Sequence, residues 1–71
     1  MLIAEIEKNS TERIRVTVTE YKGHKFIDCR VYYEDNQGEW RPTKKGISLN
    51  LETIDGVAEA IKKAKPHLVG K

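Results

Sequence analysis

The chain has one cysteine, Cys29, so no internal disulfide can form. His24, Cys29 and His67 are too scattered to have the spacing of a zinc site, and no other metal-ligand pattern appears. No apolar run is long enough to cross a bilayer, and the N-terminus lacks a signal-peptide pattern. There is no internal repeat and no low-complexity tail. No nucleophile–base pairing, glycine-rich phosphate loop or paired-carboxylate pattern is visible, so an enzyme is not expected and no cofactor is implied. A lone cysteine on an apolar strand face fits a reducing, intracellular compartment.

Size sets a further limit. Seventy-one residues suffice for one small domain with a thin core. Without a disulfide or a metal, oligomerisation is the remaining support, and a homodimer is expected. Charge of one sign is also scarce: 13 Lys and Arg against 11 Asp and Glu leave +2. That excess is too small to argue for nucleic acid, so distribution must decide. From Arg13 to Lys45 there are eight cations (13, 15, 22, 25, 30, 41, 44, 45) against five acids (20, 28, 34, 35, 39). The centre of the chain is basic.

What is present is a long β-hairpin pattern from Arg13 to Tyr33. Ile14, Val16 and Val18 alternate with Arg13, Arg15, Thr17 and Thr19 along the first arm. Ile27, Cys29 and Val31 alternate with Phe26, Asp28, Arg30 and Tyr32 along the second. Lys22-Gly23 lies between them, and glycine can supply the positive φ of a tight turn. If those two residues are the whole loop, Tyr21 faces His24 and partner numbers sum to 45. One face is then continuously apolar, and the other sets Arg15 beside Arg30, Thr17 beside Asp28 and Arg13 beside Tyr32. A slip of one residue would scramble both faces. Opposed like charges are destabilising, so Arg15 and Arg30 need anions, and Asp28 supplies only one. A basic face carrying aromatic rings suits a single-stranded nucleic acid, with cations on phosphates and rings on bases.

Strands are expected at about 2–8, 12–21, 24–33 and 38–49, and a helix at about 51–65. Ile3 breaks the alternation of Leu2, Ala4 and Ile6 against Glu5 and Glu7 in the first strand. Asn9-Ser10-Thr11 and Glu34 to Gly38 read as turns. Pro42 belongs at a bend or on an edge. Asn50 is a good N-cap, and Glu52, Lys62, Lys63 and Lys65 match the helix dipole. Ile54, Val57, Ala58 and Ile61, extended by Leu51 and Ala64, form one apolar stripe. Pro66 ends the helix, and the tail His67 to Lys71 reads as frayed. The order is ββββα, an α+β fold whose helix is expected on the apolar face of an antiparallel sheet.

Single residues remain open at this level. Arg15 and Arg30 read either as a solvated face or as phosphate contacts. Tyr21 either packs over the hairpin or stacks on a base. Lys44 and Lys45 beside Gly46 read as a charged turn or as a phosphate site. Trp40 reads as a core or dimer residue rather than a stacking platform. Asp28 reads as a group that orients Arg30, and Cys29 as a core residue.

Two blocks of residues carry a resemblance. Tyr21-Lys22-Gly23, Ile27-Asp28-Cys29-Arg30 and Tyr32-Tyr33 form the first. Gly38-Glu39-Trp40, Pro42 and Lys44-Lys45-Gly46-Ile47-Ser48-Leu49 form the second. Together they resemble the DNA-binding domain of the coactivator family called positive cofactor four, from about Arg13 to Asn50 without a gap. The resemblance implies a homodimer of curved four-stranded sheets with helices in the interface, and a groove for single-stranded or melted DNA. It implies that Tyr21 and Tyr33 stack on bases and that Lys22, Arg30, Arg41, Lys44 and Lys45 touch the backbone. His24 stands where the family often has lysine, and Tyr33 where it often has tryptophan. It also implies a compact bacterial or phage-type member, without the Ser-rich leader of eukaryotic ones. By strand alternation, however, Tyr33 falls on the apolar face, and a bulge or sharp curvature near Val31 to Tyr33 would be needed to turn it to the groove.

The sequence thus predicts one nucleic-acid-binding domain over 1–71, acting on unpaired DNA with little sequence preference. Its site residues are Arg15, Tyr21, Lys22, His24, Arg30, Tyr33, Arg41, Lys44 and Lys45. Partners are DNA, a second copy and possible transcription machinery, but no membrane; in a bacterium the location is cytoplasmic, with the nucleoid. Two alternatives are a protein-interaction module recruiting transcription machinery and a single-stranded RNA-binding protein.

Overall fold

In the computed structural model, which describes residues 1–69, the hairpin pattern sets the whole sheet. Strand β2 spans Glu12–Tyr21 and β3 spans His24–Glu34. They pair without interruption from Glu12↔Tyr33 to Tyr21↔His24, every partner sum being 45 as the two-residue loop requires. Lys22 (φ 53) and Gly23 (φ 81) both take positive φ, the demand of a tight hairpin turn whose twist matches the strands. Strand β1, Leu2–Glu7, adds outside β2, and β4, Trp40–Leu49, adds outside β3, all antiparallel. Helix α1, Leu51–Ala64, follows, then a 3-10 turn over Lys65–Leu68.

The expected ββββα order is therefore present, with shifted ends. β4 starts at Trp40 rather than 38, because Asp35 Oδ1 accepts the N–H groups of Gln37 and Glu39 at 2.9 Å and keeps them in the turn. α1 stops at Ala64, and His67 and Leu68 lie in the 3-10 turn rather than a frayed end. The remainder of the expected tail, Gly70 and Lys71, lies outside the described residues. Asn50 caps α1 as expected: its Oδ1 accepts from Glu52 N and Thr53 N at 3.0 Å, while Thr53 Oγ1 accepts from Asn50 N at 3.1 Å.

Two irregularities interrupt the ladders. Leu2 pairs with Thr17 while Ala4 pairs with Val16, so Ile3 is an extra residue in β1. The break that Ile3 makes in the sequence pattern is this bulge, and it takes Leu2 out of the row of Ala4 and Ile6. The second lies between β3 and β4. Arg30 pairs with Gly46 and Tyr32 with Pro42, so two steps of β3 face four of β4. The interruption falls where the sequence needed one, but the extra residues belong to β4. Tyr33 therefore stays in register with Glu12, on the face of Ile27, Cys29 and Val31. Pro42 sits beside the bulge on an edge strand, where its missing N–H costs no ladder bond.

The helix does not cover the sheet within one chain, contrary to expectation. Leu49, at 8% exposed, is the one residue buried among those described. Cys29 is half-buried rather than core, and Ile47, Leu51 and Ile61 are exposed. The radius of gyration is 14.1 Å, against about 11 Å for a compact chain of this length. Asn50 links β4 to α1 in one step, and the helix stripe is half-buried at Ile54 and Val57 but exposed at Leu51 and Ile61.

Candidate nucleic-acid interface

Alternation and register distribute the predicted site residues over three places. The first is the hairpin tip. Tyr21 ends β2 at 65% exposure and faces His24, the first residue of β3. Lys22 Nζ lies 5.3 Å from the centre of the Tyr21 ring, a cation over a π-face. Lys25 is a fourth exposed polar group here and was not singled out from sequence.

The second place is the polar face. Arg15 and Arg30 oppose each other as expected, and each has found its anion. Arg30 Nε and Nη2 donate to Asp28 at 3.0 and 2.9 Å, and Nη1 donates to the Thr43 carbonyl at 2.9 Å. Asp28 orients Arg30, as the sequence suggested, and the Arg30 hydrogen bond holds its carboxyl below the usual carboxylate range. All three Arg30 nitrogens donate within the chain, which leaves two of its five N–H groups for a further acceptor. Gly46 makes the arrangement possible: a Cβ there would lie 2.8 Å from Arg30 Cζ. The space beside Gly46 is thus filled by a guanidinium, not left open for a phosphate.

The second anion comes from β1. Glu5 accepts from Arg15 Nε at 2.9 Å and pairs with Arg13 Nη1 at 3.3 Å. The Arg15 hydrogen bond in particular depresses its carboxyl pKa. Arg13 lies 4.5 Å over the Trp40 ring and Arg15 4.7 Å over the Tyr32 ring. Trp40 is therefore a half-exposed platform on the polar face, not a core residue of the chain. Arg13, Tyr32, Trp40 and Glu5 were missed as a group. The alternate row of β2 and its pairing with β3 already joined Arg13, Arg15 and Tyr32, but Glu5 and Trp40 needed the β1 and β4 registers.

The third place is the shoulder where β2 begins and β3 ends. Tyr33, 41% exposed, pairs with Glu12 on one side and Arg41 on the other. Arg41 Nε donates to Asp35 at 2.5 Å, which lowers the Asp35 pKa and raises that of Arg41. Glu12 accepts from Asn9 at 2.8 Å and Lys8 at 3.0 Å, and these bonds, with the more distant charge of Lys45, hold its pKa low. Lys44 and Lys45 are exposed in the β4 bulge, and Lys45 N donates to Thr43 Oγ1 at 3.1 Å. The structure thus sets Arg41 beside Tyr33, with Lys44 and Lys45 in the bulge of the same strand, and separates them from the tip. The Tyr21–His24 and Glu12–Tyr33 pairs are nine residues apart along β2, or about 30 Å. By alternation, Tyr21 and Tyr33 lie on opposite faces.

Comparison with known proteins adds to this geometry. The family described as Transcriptional Coactivator p15 (PC4) matches residues 8–60. The RNA polymerase II transcriptional coactivator SUB1 of Saccharomyces cerevisiae is 48% identical over 42 residues, covering 58% of this chain and 14% of that protein. The chain thus spans about a seventh of the length of that curated relative. A PC4 homologue from Burkholderia pseudomallei superposes with a TM-score of 0.87 at 32% identity, covering 92% of this chain and 96% of the other. MoSub1, solved as a complex with DNA, gives a TM-score of 0.58 at 31% identity, over 92% of this chain and 79% of the other.

Proposed function

The chain belongs to the transcriptional coactivator p15 (PC4) family, and from that premise we propose that it binds single-stranded or melted DNA with little sequence preference. The observation that carries this reading is the shoulder: an exposed Tyr33 ring beside Arg41, with the Lys44-Lys45 bulge farther along the same strand. Rings stack on any base, and cations displace counterions from phosphates, so unpaired strands are favoured without base readout. Tyr21 and Lys22 at the tip supply a second ring and cation of the same kind. The DNA complex of MoSub1 supports the ligand class, and the name of the yeast relative supports a role in transcription. Action is by binding, in support of transcription or genome maintenance, and in a bacterial host beside the nucleoid. No described helix is long and apolar enough to cross a membrane.

The working unit in this reading is a homodimer. The exposed apolar residues Ile47, Leu51 and Ile61, with one buried side chain among the described residues, leave much of the sheet face and helix stripe without a cover. A second copy supplies complementary surface in equal amount. Sedimentation at micromolar concentration tests this, a monomer being the contrary result. Binding is tested by anisotropy titration with labelled single-stranded and duplex oligonucleotides at two salt concentrations, with a matched RNA arm. Tighter single-strand binding that weakens with salt is expected. Equal affinity for duplex, or no salt dependence, would refute the mechanism.

A further inference from the structure

Five residues on the polar face form a unit, of which the sequence singled out only Arg15 as a DNA contact. Arg13 and Arg15 share one carboxylate, Glu5, so two cations meet one anion. Each guanidinium also lies over a ring, Arg13 Cζ 4.5 Å from the centre of Trp40 and Arg15 Cζ 4.7 Å from that of Tyr32. Stacking fixes the plane of a guanidinium and leaves its N–H edge open to acceptors lying in that plane. Those edges are only partly used. Arg15 gives Nε to Glu5, and Arg13 gives Nη1, and neither has another hydrogen-bonded acceptor among the described residues. Arg30, next to them, has all three nitrogens engaged. The Arg13 and Arg15 side chains remain 39% and 26% exposed. Glu7 and Glu34 share this face through the Glu7↔Arg13 and Glu34↔Trp40 pairs, so the surroundings are not simply basic.

We infer that Arg13 and Arg15 form a phosphodiester clamp for the bound strand, preset by Trp40 and Tyr32, with Glu5 as an internal occupant that the phosphate displaces. The inference rests on the proposed DNA binding and extends it to the opposite face from the shoulder. Continuity supports it: Arg13, Arg15, Thr17, Thr19 and Tyr21 form one row of β2, so the row that carries the Tyr21 ring at the tip leads back to the clamp. Arginine suits the task because its planar fork matches the geometry of a phosphate. Glu5 then sets affinity at this face by competition, as an anion already in place.

Trp40 is the sole tryptophan of the chain, so its emission reports on the clamp directly. The experiment titrates the full chain and its Glu5→Gln variant with oligo-dT, following oligonucleotide anisotropy and Trp40 emission together. Glutamine keeps the shape and a carbonyl acceptor for Arg15 while removing the competing charge. Binding is expected to tighten about two- to fivefold, the range of one exposed ion pair. The slope of log K against log salt should steepen by about 0.7, one further phosphate contact on a single strand. Adding Arg13→Ala and Arg15→Ala to the Glu5→Gln chain should cancel both gains. Wild-type binding with unchanged affinity, slope and emission in Glu5→Gln would overturn the clamp and leave the shoulder reading standing. No binding by the wild type would overturn the DNA reading itself. Inorganic phosphate should leave the emission unchanged; if it reproduces the oligo-dT shift alone, the strand is not the ligand.

Discussion

Gly46→Ala tests how the polar face is assembled. The added methyl would sit 2.8 Å from Arg30 Cζ, 2.8 Å from the Cys29 carbonyl oxygen and 3.0 Å from Arg30 Cβ. The end of Arg30 can swing aside, but the carbonyl is part of the β3 backbone and cannot. Swinging Arg30 also gives up its two bonds to Asp28 and one to Thr43. Overpacking of this kind costs about 1–3 kcal/mol. The lost ion pair adds little, since Arg30 is partly solvated and such pairs contribute less than about 1 kcal/mol. A total of about 2 kcal/mol lowers the melting midpoint of a domain this size by roughly 8–16 °C. Thermal melts by circular dichroism at one fixed chain concentration measure it, because an oligomer's midpoint moves with concentration. Gly56→Ala is the control: nothing lies within 4 Å of its added Cβ, and helix propensity favours alanine by roughly 1 kcal/mol. If Gly46→Ala melts with the wild type, β4 moves freely past β3 and the packed guanidinium is not what requires glycine.

Three other outcomes follow from the same geometry. Lys45→Ala is expected to reduce the salt slope of single-strand binding by about 0.7, whereas Arg30→Ala, whose nitrogens are already engaged, should lower the melting midpoint and leave the slope nearly unchanged; equal slope changes would contradict the assignment of Arg30. Asp28, Glu5, Glu12 and Asp35 all have folded-state pKa values pulled below their ordinary ones. Their contribution is present above about pH 4.5 and lost as pH falls further, so urea midpoints should hold from pH 7 to about 5 and then decline; a midpoint unchanged down to pH 3 would remove these pairs from the balance. Tyr21→Ala and Tyr33→Ala, at sites about 30 Å apart, should each cost roughly 1–3 kcal/mol on an oligonucleotide long enough to reach both and add independently; strong coupling on short oligonucleotides would mean that the rings share one base step.

The hairpin was the most legible part of the sequence because its signal is local and repeated. Period-two alternation on both arms and one two-residue turn leave a single register, and every β2–β3 pair follows from it. The Asn50 cap and the helix bounds are local for the same reason. What the sequence concealed depends on pairing between distant segments. The β4 bulge is two residues of slack that only the β3–β4 ladder exposes. Glu5 reaches Arg13 and Arg15 only after the Ile3 bulge has set the β1 register. The apolar stripe of α1 was read correctly as a stripe, but amphipathicity does not say which surface will cover it. Site residues chosen by type were scattered for a similar reason: a cation's availability depends on whether an acid lies across the sheet. Arg30 and Lys45 are alike in sequence terms, yet one is engaged on three sides and the other stands in an exposed bulge.

The separation of the two rings constrains how one strand can meet one chain. Tyr33 stands on the apolar face of the sheet and Tyr21 on the polar face, at opposite ends of the same hairpin. A strand lying flat on either face therefore meets only one of them. Meeting both requires it to turn round a sheet edge, or to pass from Tyr21 of one copy to Tyr33 of another. The first route bends a strand sharply, either around β1, where exposed Leu2, Ile3 and Ile6 offer little to phosphate, or around β4, where Lys44 and Lys45 supply the cations. The second needs no bend if pairing of two copies brings a tip beside a shoulder. The proposed homodimer would supply that pairing, so that one association would both cover the apolar surface and complete the binding surface. Dilution below the dimerisation range should then weaken binding of long single strands far more than of short ones, because only the long ones use both rings. Parallel loss for short and long strands would place the whole interface within one chain.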